Sequence, residues 1–241
     1  LKEIGDSGDT LSNGQTIARF HTSFASGRPT INDDGVSAAP YFSVASGLGV
    51  VAGGGEIENS VVAFTGSMSP AGFPFGGFAN EPPPAGDSNG RVILYSKLFG
   101  IGRQAVLSVD TAGAVPGETL YLVGSEIGGK SLTFLSPPIV AQASGLVYAL
   151  GGLGPDGTPS VIVNDRGIDS VVAYSVDPLK NRPGSILDGI EIVDGNNQGQ
   201  VVVAQTRATP GVGSVSDLAV RFESSRTATS HRTVTEPFLS H

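Results

Sequence analysis

Four turns ending in glycine, set along the chain at a near-constant interval, constrain this sequence more than any other feature. They are Asn32-Asp33-Asp34-Gly35, Asp87-Ser88-Asn89-Gly90, Gln142-Ala143-Ser144-Gly145 and Asn196-Asn197-Gln198-Gly199, with glycines 55, 55 and 54 residues apart (90 − 35, 145 − 90, 199 − 145). Unrelated surface turns do not keep such a period, so the spacing predicts an internal repeat of roughly 55 residues. An apolar run follows each turn: Val36-Ser37-Ala38-Ala39, Val92-Ile93-Leu94-Tyr95, Leu146-Val147-Tyr148-Ala149 and Val201-Val202-Val203-Ala204. A second set keeps almost the same interval, at Val50-Val51-Ala52, Val106-Leu107-Ser108-Val109, Val161-Ile162-Val163 and Leu218-Ala219-Val220.

The apolar residues come in short runs bounded by Gly, Pro, Asn and Asp, which is strand punctuation, and no long stretch keeps the i, i+3, i+4, i+7 pattern of a helix. The expected fold is therefore all-β, with four repeats of about four short strands each. A four-bladed β-propeller is the leading architecture, with an open β-solenoid or a strand-swapped assembly as alternatives. Counted from the turn glycines, the units run 36–90, 91–145 and 146–199, and the fourth combines 200–223 with 1–35. That offset predicts a two-plus-two closure, in which strands from both chain ends complete one sheet and leave no open edge. Residues 1–223 then form a single repeat domain, and 224–241 form a tail or an extra strand able to add to another subunit's sheet.

At these turns the sequence resembles the bacterial exported tandem-repeat proteins with an Asn-x-x-Gly-x-x-Ala-Phe motif. Asn32, Gly35 and Ala38 keep the pattern, as do Asn196 and Gly199 with Val202, while Asp87 and Gln142 replace the asparagine in the other copies. The run Ile4-Gly5-Asp6-Ser7-Gly8-Asp9-Thr10, continuing to Phe20, Pro29, Ile31 and Asn32, also looks like that family's unit. The resemblance implies export and a repeat architecture. It implies no activity that can be carried over residue by residue.

With 14 basic and 22 acidic residues the formal charge is −8, and the chain holds only four lysines and no basic cluster. Nucleic acids and anionic membrane surfaces both need a positive footprint, so neither is expected as a partner. The longest apolar segments, such as Leu146 to Leu153, fall short of the roughly 20 residues that cross a bilayer as a helix. The absence of cysteine excludes disulfides, thiolate metal sites and cysteine nucleophiles. The first residue is Leu1 and no signal-like segment is present, which fits an extracellular or cell-surface protein whose signal has been removed.

Chemistry is sparsely marked. The histidines are His21, His231 and His241, with neither the spacing of a metal site nor a Gly-x-Ser-x-Gly elbow nearby. Gly53-Gly54-Gly55 and Gly151-Gly152 lack the helix that turns a glycine run into a phosphate cradle, and read as loop glycines. Asp194, Asn196 and Gln198 match the front of a calcium loop, but Gln205 stands where such a loop places its bidentate Glu, so a polar turn is the better reading. Asp33, Asp34 and Asp87 share that reading. No cofactor is expected. Glu56, Glu58, Asp110, Asp165, Asp169 and Asp177 are the carboxylates from which a glycan-active acid pair would have to be drawn. Phe73, Phe75 and Phe78 form a Pro- and Gly-rich aromatic stretch that is either a loop folded over the end of the barrel or, with Val234 and Phe238 of the tail, a candidate assembly interface. These features predict a non-enzymatic, exported structural protein that self-assembles into a surface layer or filament, its partners being copies of itself. A carbohydrate- or protein-binding module, meeting a glycan or another surface protein, is the alternative, and a hydrolase or lyase the third reading.

Overall fold

The computed structural model describes residues 5–20, 30–31, 35–45, 47–54, 57–77, 85–86, 90–111, 117–141, 145–174, 186–195, 200–209 and 213–222. Every regular element among them is a β-strand. The chain separates into two compact units, Leu1–Val123 and Gly124–His241.

In the first unit, β1 (Ile17–Phe20), β2 (Thr30–Ile31), β3 (Val36–Ser43), β4 (Gly47–Gly54) and β5 (Ile57–Phe64) make one antiparallel sheet. A second follows from β6 (Phe75–Gly77), β7 (Ala85–Gly86), β8 (Arg91–Leu98), β9 (Gln104–Asp110) and β10 (Glu118–Leu122). The second unit repeats the plan with β11 (Glu126–Ile127), β12 (Lys130–Leu135), β13 (Ile139–Ala141), β14 (Leu146–Leu153), β15 (Thr158–Asp165) and β16 (Ile168–Tyr174). It ends in a three-stranded meander of β17 (Ile186–Gly195), β18 (Gln200–Thr209) and β19 (Gly213–Phe222).

The repeat is written into the backbone. Gly35, Gly90 and Gly145 sit at φ of 77°, 74° and 70°, the left-handed region that glycine enters without a steric penalty. Each opens a long strand (β3, β8, β14), and a short strand lying just before it (β2, β7, β13) folds back against that strand's beginning. The other end of the same long strand is paired by β1, β6 or β12, so the first strand of every repeat comes in two pieces.

This placement corrects the expected unit boundaries. The glycine turns join the first and second strands inside a sheet, because a left-handed residue reverses the chain between neighbouring antiparallel strands. Among the described residues each sheet is drawn from one stretch of chain, with changeovers between Phe64 and Phe75, Leu122 and Glu126, and Tyr174 and Ile186. Where the expected closure joined 200–223 with 1–35, the described strands β18 and β19 lie in a sheet with β17, and β1 and β2 pair with β3. Tail residues 224–241 lie outside the described residues.

Both faces of the first sheet are apolar, which is why its strands read as nearly continuous hydrophobic runs. Ala38, Leu48, Val50, Ala52 and Ala63 pack with Phe75, Val92, Leu94, Leu98, Ala105 and Leu107 of the second sheet. The opposite face carries Ala39, Tyr41 and Val51 against Ile17 and Leu11. In the second unit Leu146, Tyr148, Val161 and Val163 form a core of their own. Each fully buried Val, Leu, Ile or Phe contributes about 1.5–3 kcal/mol, so cores of this size hold sheets without covalent ties.

Candidate functional site

The ends of the long strands in the first unit differ in chemistry. At the glycine-turn end Arg91 stands opposite Asp110, and its Nη1 lies 3.8 Å from Glu118 Oε2. There the Gly90 carbonyl accepts from the amide of Thr111 at 3.3 Å and from its Oγ1 at 2.6 Å, and Ser60 Oγ donates to the Thr111 carbonyl at 2.6 Å. These groups tie the two sheets of the unit together.

The opposite, hairpin end is assembled by a continuous set of backbone bonds. The amide and hydroxyl of Thr65 both donate to the Leu48 carbonyl, at 2.8 and 3.1 Å, beside the β3–β4 turn. Gly66 N donates to Phe75 O and Phe75 N to Ser67 O, each at 2.9 Å, while Met68 bridges to Pro74. Ser69 N donates to Phe73 O, closing a tight loop through Pro70 and Gly72. Phe99 N then donates to Pro74 O at 2.8 Å, so the β8–β9 hairpin lies alongside this loop.

Three large apolar side chains stand exposed there: Val44 (70%), Met68 (66%) and Phe99 (51%). Beneath them Phe73, Ala71 and Ile101 pack against the core, and Phe75 is 2% exposed within it. Ser69 is buried among these residues, and its Oγ has no hydrogen-bond partner. Gly100 and Gly102, on either side of Ile101, are left-handed, and a Cβ added to either would meet nothing within 4 Å. Lys97 and Arg103 are exposed on the same hairpin, where Leu98 N donates to Arg103 O at 2.9 Å.

Of the residues singled out from sequence, Phe75 is a core residue: β6 pairs it with Leu98 and turns its ring inward. Phe73 is partly buried over the same core, and Phe78, Val234 and Phe238 lie outside the described residues. Asp194 is on β17 opposite Val202, whereas Asn196 and Gln198 fall outside the described residues. Among the described residues no group of three or more His, Asp or Glu side chains gathers in a way that would hold a metal ion. Asp110 and Asp165 hold equivalent places, at the ends of β9 and β15. Asp169 accepts from Asn164 Nδ2 at 2.7 Å, and Asn164 Oδ1 accepts from Gly167 N at 3.1 Å, closing the β15–β16 hairpin through Arg166 at φ 52°. Glu58 is on β5; Glu56, Asp177 and all three histidines are outside the described residues, as are Asp33, Asp34 and Asp87.

Sequence reasoning passed over Met68, Lys97 and Arg103, and read Phe99 with the other strand aromatics as core. Phe99 was visible as an aromatic beside Gly100 and Gly102, a composition poor for a strand interior, and that was the available signal.

No protein-family model matches the chain, and no curated relative matches it either. Among solved structures, an exo-β-1,3-galactanase from Phanerochaete chrysosporium with bound β-1,3-galactotriose is similar at 9% identity and a TM-score of 0.40. The same enzyme with galactose is similar at 8% identity and a TM-score of 0.37. In both cases 94% of this chain is covered and 53% of the other, so the chain spans about half the length of these structures. These matches are to a glycan-degrading enzyme and run against the expected non-enzymatic, self-assembling structural protein, which is set aside. At such scores they assign neither activity nor substrate to this chain.

Proposed function

We propose that the chain is a glycan-directed module in which four consecutive antiparallel sheets serve as the blades of a small β-propeller, and that it holds a carbohydrate at the hairpin end of its first unit. The observation that carries the reading is Phe99. Its side chain is half exposed on a short hairpin whose Phe99 amide donates to Pro74 O, and the glycines after it leave space where most residues would project a side chain. A flat apolar face beside open backbone suits a sugar ring, which offers C–H groups to the aromatic and hydroxyls to nearby carbonyls and amides. Loops held on a rigid sheet scaffold are also where binding residues concentrate.

Affinity electrophoresis of the full chain in gels containing neutral or acidic polysaccharides tests the proposal. Retardation by at least one polysaccharide is expected, with binding by Phe99→Ala weakened roughly tenfold, as the loss of one aromatic anchor predicts. Migration of the parent chain unchanged by every polysaccharide would overturn the reading. Release of new reducing ends from a bound polysaccharide would make the module an enzyme.

A further inference from the structure

We infer that Asn13 is a site of covalent self-modification in the folded chain, where its side-chain amide is lost and aspartate or isoaspartate takes its place in the turn that clasps Tyr41. The reaction needs only the chain and water. The Gly14 amide nitrogen gives its proton to solvent base and attacks Asn13 Cγ, so that a carbon–nitrogen bond closes a succinimide ring, the bond from Cγ to Nδ2 breaks and ammonia leaves. Water then opens the ring at either carbonyl, to aspartate or to isoaspartate, and nothing is oxidised or reduced.

The turn favours this chemistry at the acceptor and restrains it at the nucleophile. Asn13 and Gly14 are exposed, so water and base reach both. Gly14 is left-handed at φ 79°, and nothing lies within 4 Å of the place its Cβ would take, so no side chain shields the attacking nitrogen. The Gln15 amide donates to Asn13 Oδ1 at 3.0 Å, which meets the negative charge that this oxygen gains as the ring closes. Against these, the Gly14 amide donates to the Leu11 carbonyl at 2.8 Å, and the nitrogen is free to attack only when that bond opens.

The same turn holds a buried ring of the first sheet. Gln15 Oε1 accepts from the Tyr41 hydroxyl at 2.6 Å, and the Asn13 side chain bears on that hydroxyl as well. Leu11 packs with Tyr41 in the core, while its amide donates to the Gln15 carbonyl at 2.8 Å. A carboxylate at position 13 has no N–H to offer the hydroxyl. Isoaspartate also adds a methylene to the backbone, inside a turn closed by the Leu11–Gln15 bond and the Thr10–Thr16 bridge. Conversion therefore loosens the clasp on Tyr41.

The full chain and Asn13→Gln are incubated in mildly alkaline buffer with and without urea, then digested and mapped by mass spectrometry, with isoaspartate counted by enzymatic methyl labelling. Product at Asn13 should accumulate in the folded chain roughly three- to tenfold more slowly than in urea, as expected when one hydrogen bond must open first. The incubated folded chain should melt roughly 2–4 °C below the fresh one, the shift that loss of about one hydrogen bond predicts, and Asn13→Gln should lose less on the same incubation. Absence of product at Asn13 in the folded chain, under conditions that convert it in urea, would overturn the inference. Conversion as fast in the folded chain as in urea would overturn the restraint assigned to the Gly14–Leu11 bond. Product at Asn13 with an unchanged melting temperature would overturn the link to Tyr41.

Discussion

Tyr41 shows how single glycines shape the first sheet. Its ring is fully buried and lies across Gly49, its cross-strand partner, where an added Cβ would come within 2.6 Å of Cε1. The hydroxyl donates to Gln15 Oε1 at 2.6 Å, which fixes the ring from its far end. Phe134 covers Gly152 in a similar cross-strand pair, but that ring stays 37% exposed. Gly49→Ala should therefore cost about 1–3 kcal/mol, because a pinned ring cannot move aside. Gly152→Ala should cost less, since a ring at the surface has room to turn. Urea denaturation of the two variants beside the parent checks the order.

Burial also pushes the Tyr41 hydroxyl up to about 12, against a smaller opposing pull from the Asn13 side chain. Its ordinary value is near 10, so the neutral form is favoured in the folded chain. The resulting stability is fully present below pH 10 and is lost as pH rises through 12. A two-unit shift corresponds to roughly 2–3 kcal/mol. Tyr41→Phe should flatten the alkaline part of the stability profile, as followed by denaturation midpoints between those pH values. An unchanged profile in that variant would assign the alkaline loss to other groups.

At the scale of elements, the left-handed glycine between a short strand and a long one is the recurring part. Gly35, Gly90 and Gly145 share φ within a few degrees although the residues before them differ in every copy. Replacing Gly90 by Ala should cost about 1–2 kcal/mol, the penalty of left-handed backbone in a residue with a Cβ, and Gly90→Asn should recover part of it. Thermal melts of the two variants would show it, with equal melting temperatures for parent and Gly90→Ala contradicting the assignment. These turns were legible in the sequence because a steric requirement leaves one residue type at one position. Their place within the sheets was not legible. The same glycine can divide two sheets or two strands of one sheet, and pairing between distant segments decides which. Phe75 was misread for a related reason: a Pro- and Gly-rich stretch looks like a loop until β6 is seen pairing with β8 and delivering the ring to the core.

Over the whole molecule, regular structure among the described residues is entirely β, so far-UV circular dichroism of the intact chain should give a strand spectrum without a helical double minimum. A substantial helical signal would contradict the architecture. The candidate site illustrates what composition hides at this scale. A net charge of −8 says nothing of how charge is arranged, and Lys97 and Arg103 both stand exposed on the hairpin that carries Phe99. Phe99 and Met68 are 31 residues apart (99 − 68), and both are tied to Pro74, Phe99 through its amide and Met68 through a β-bridge.

From sequence alone came the all-β class, the period, the glycine turns and the absence of cysteine chemistry. The strands and turns follow from alternation and local sterics, which act over a few residues, and the period and the lack of cysteine from the order and composition of the whole sequence. The grouping of strands into sheets, the burial of Phe75 and the exposed surface around Phe99 were settled by tertiary structure alone. They depend on which distant backbone groups satisfy one another's hydrogen bonds, and no local pattern encodes that pairing.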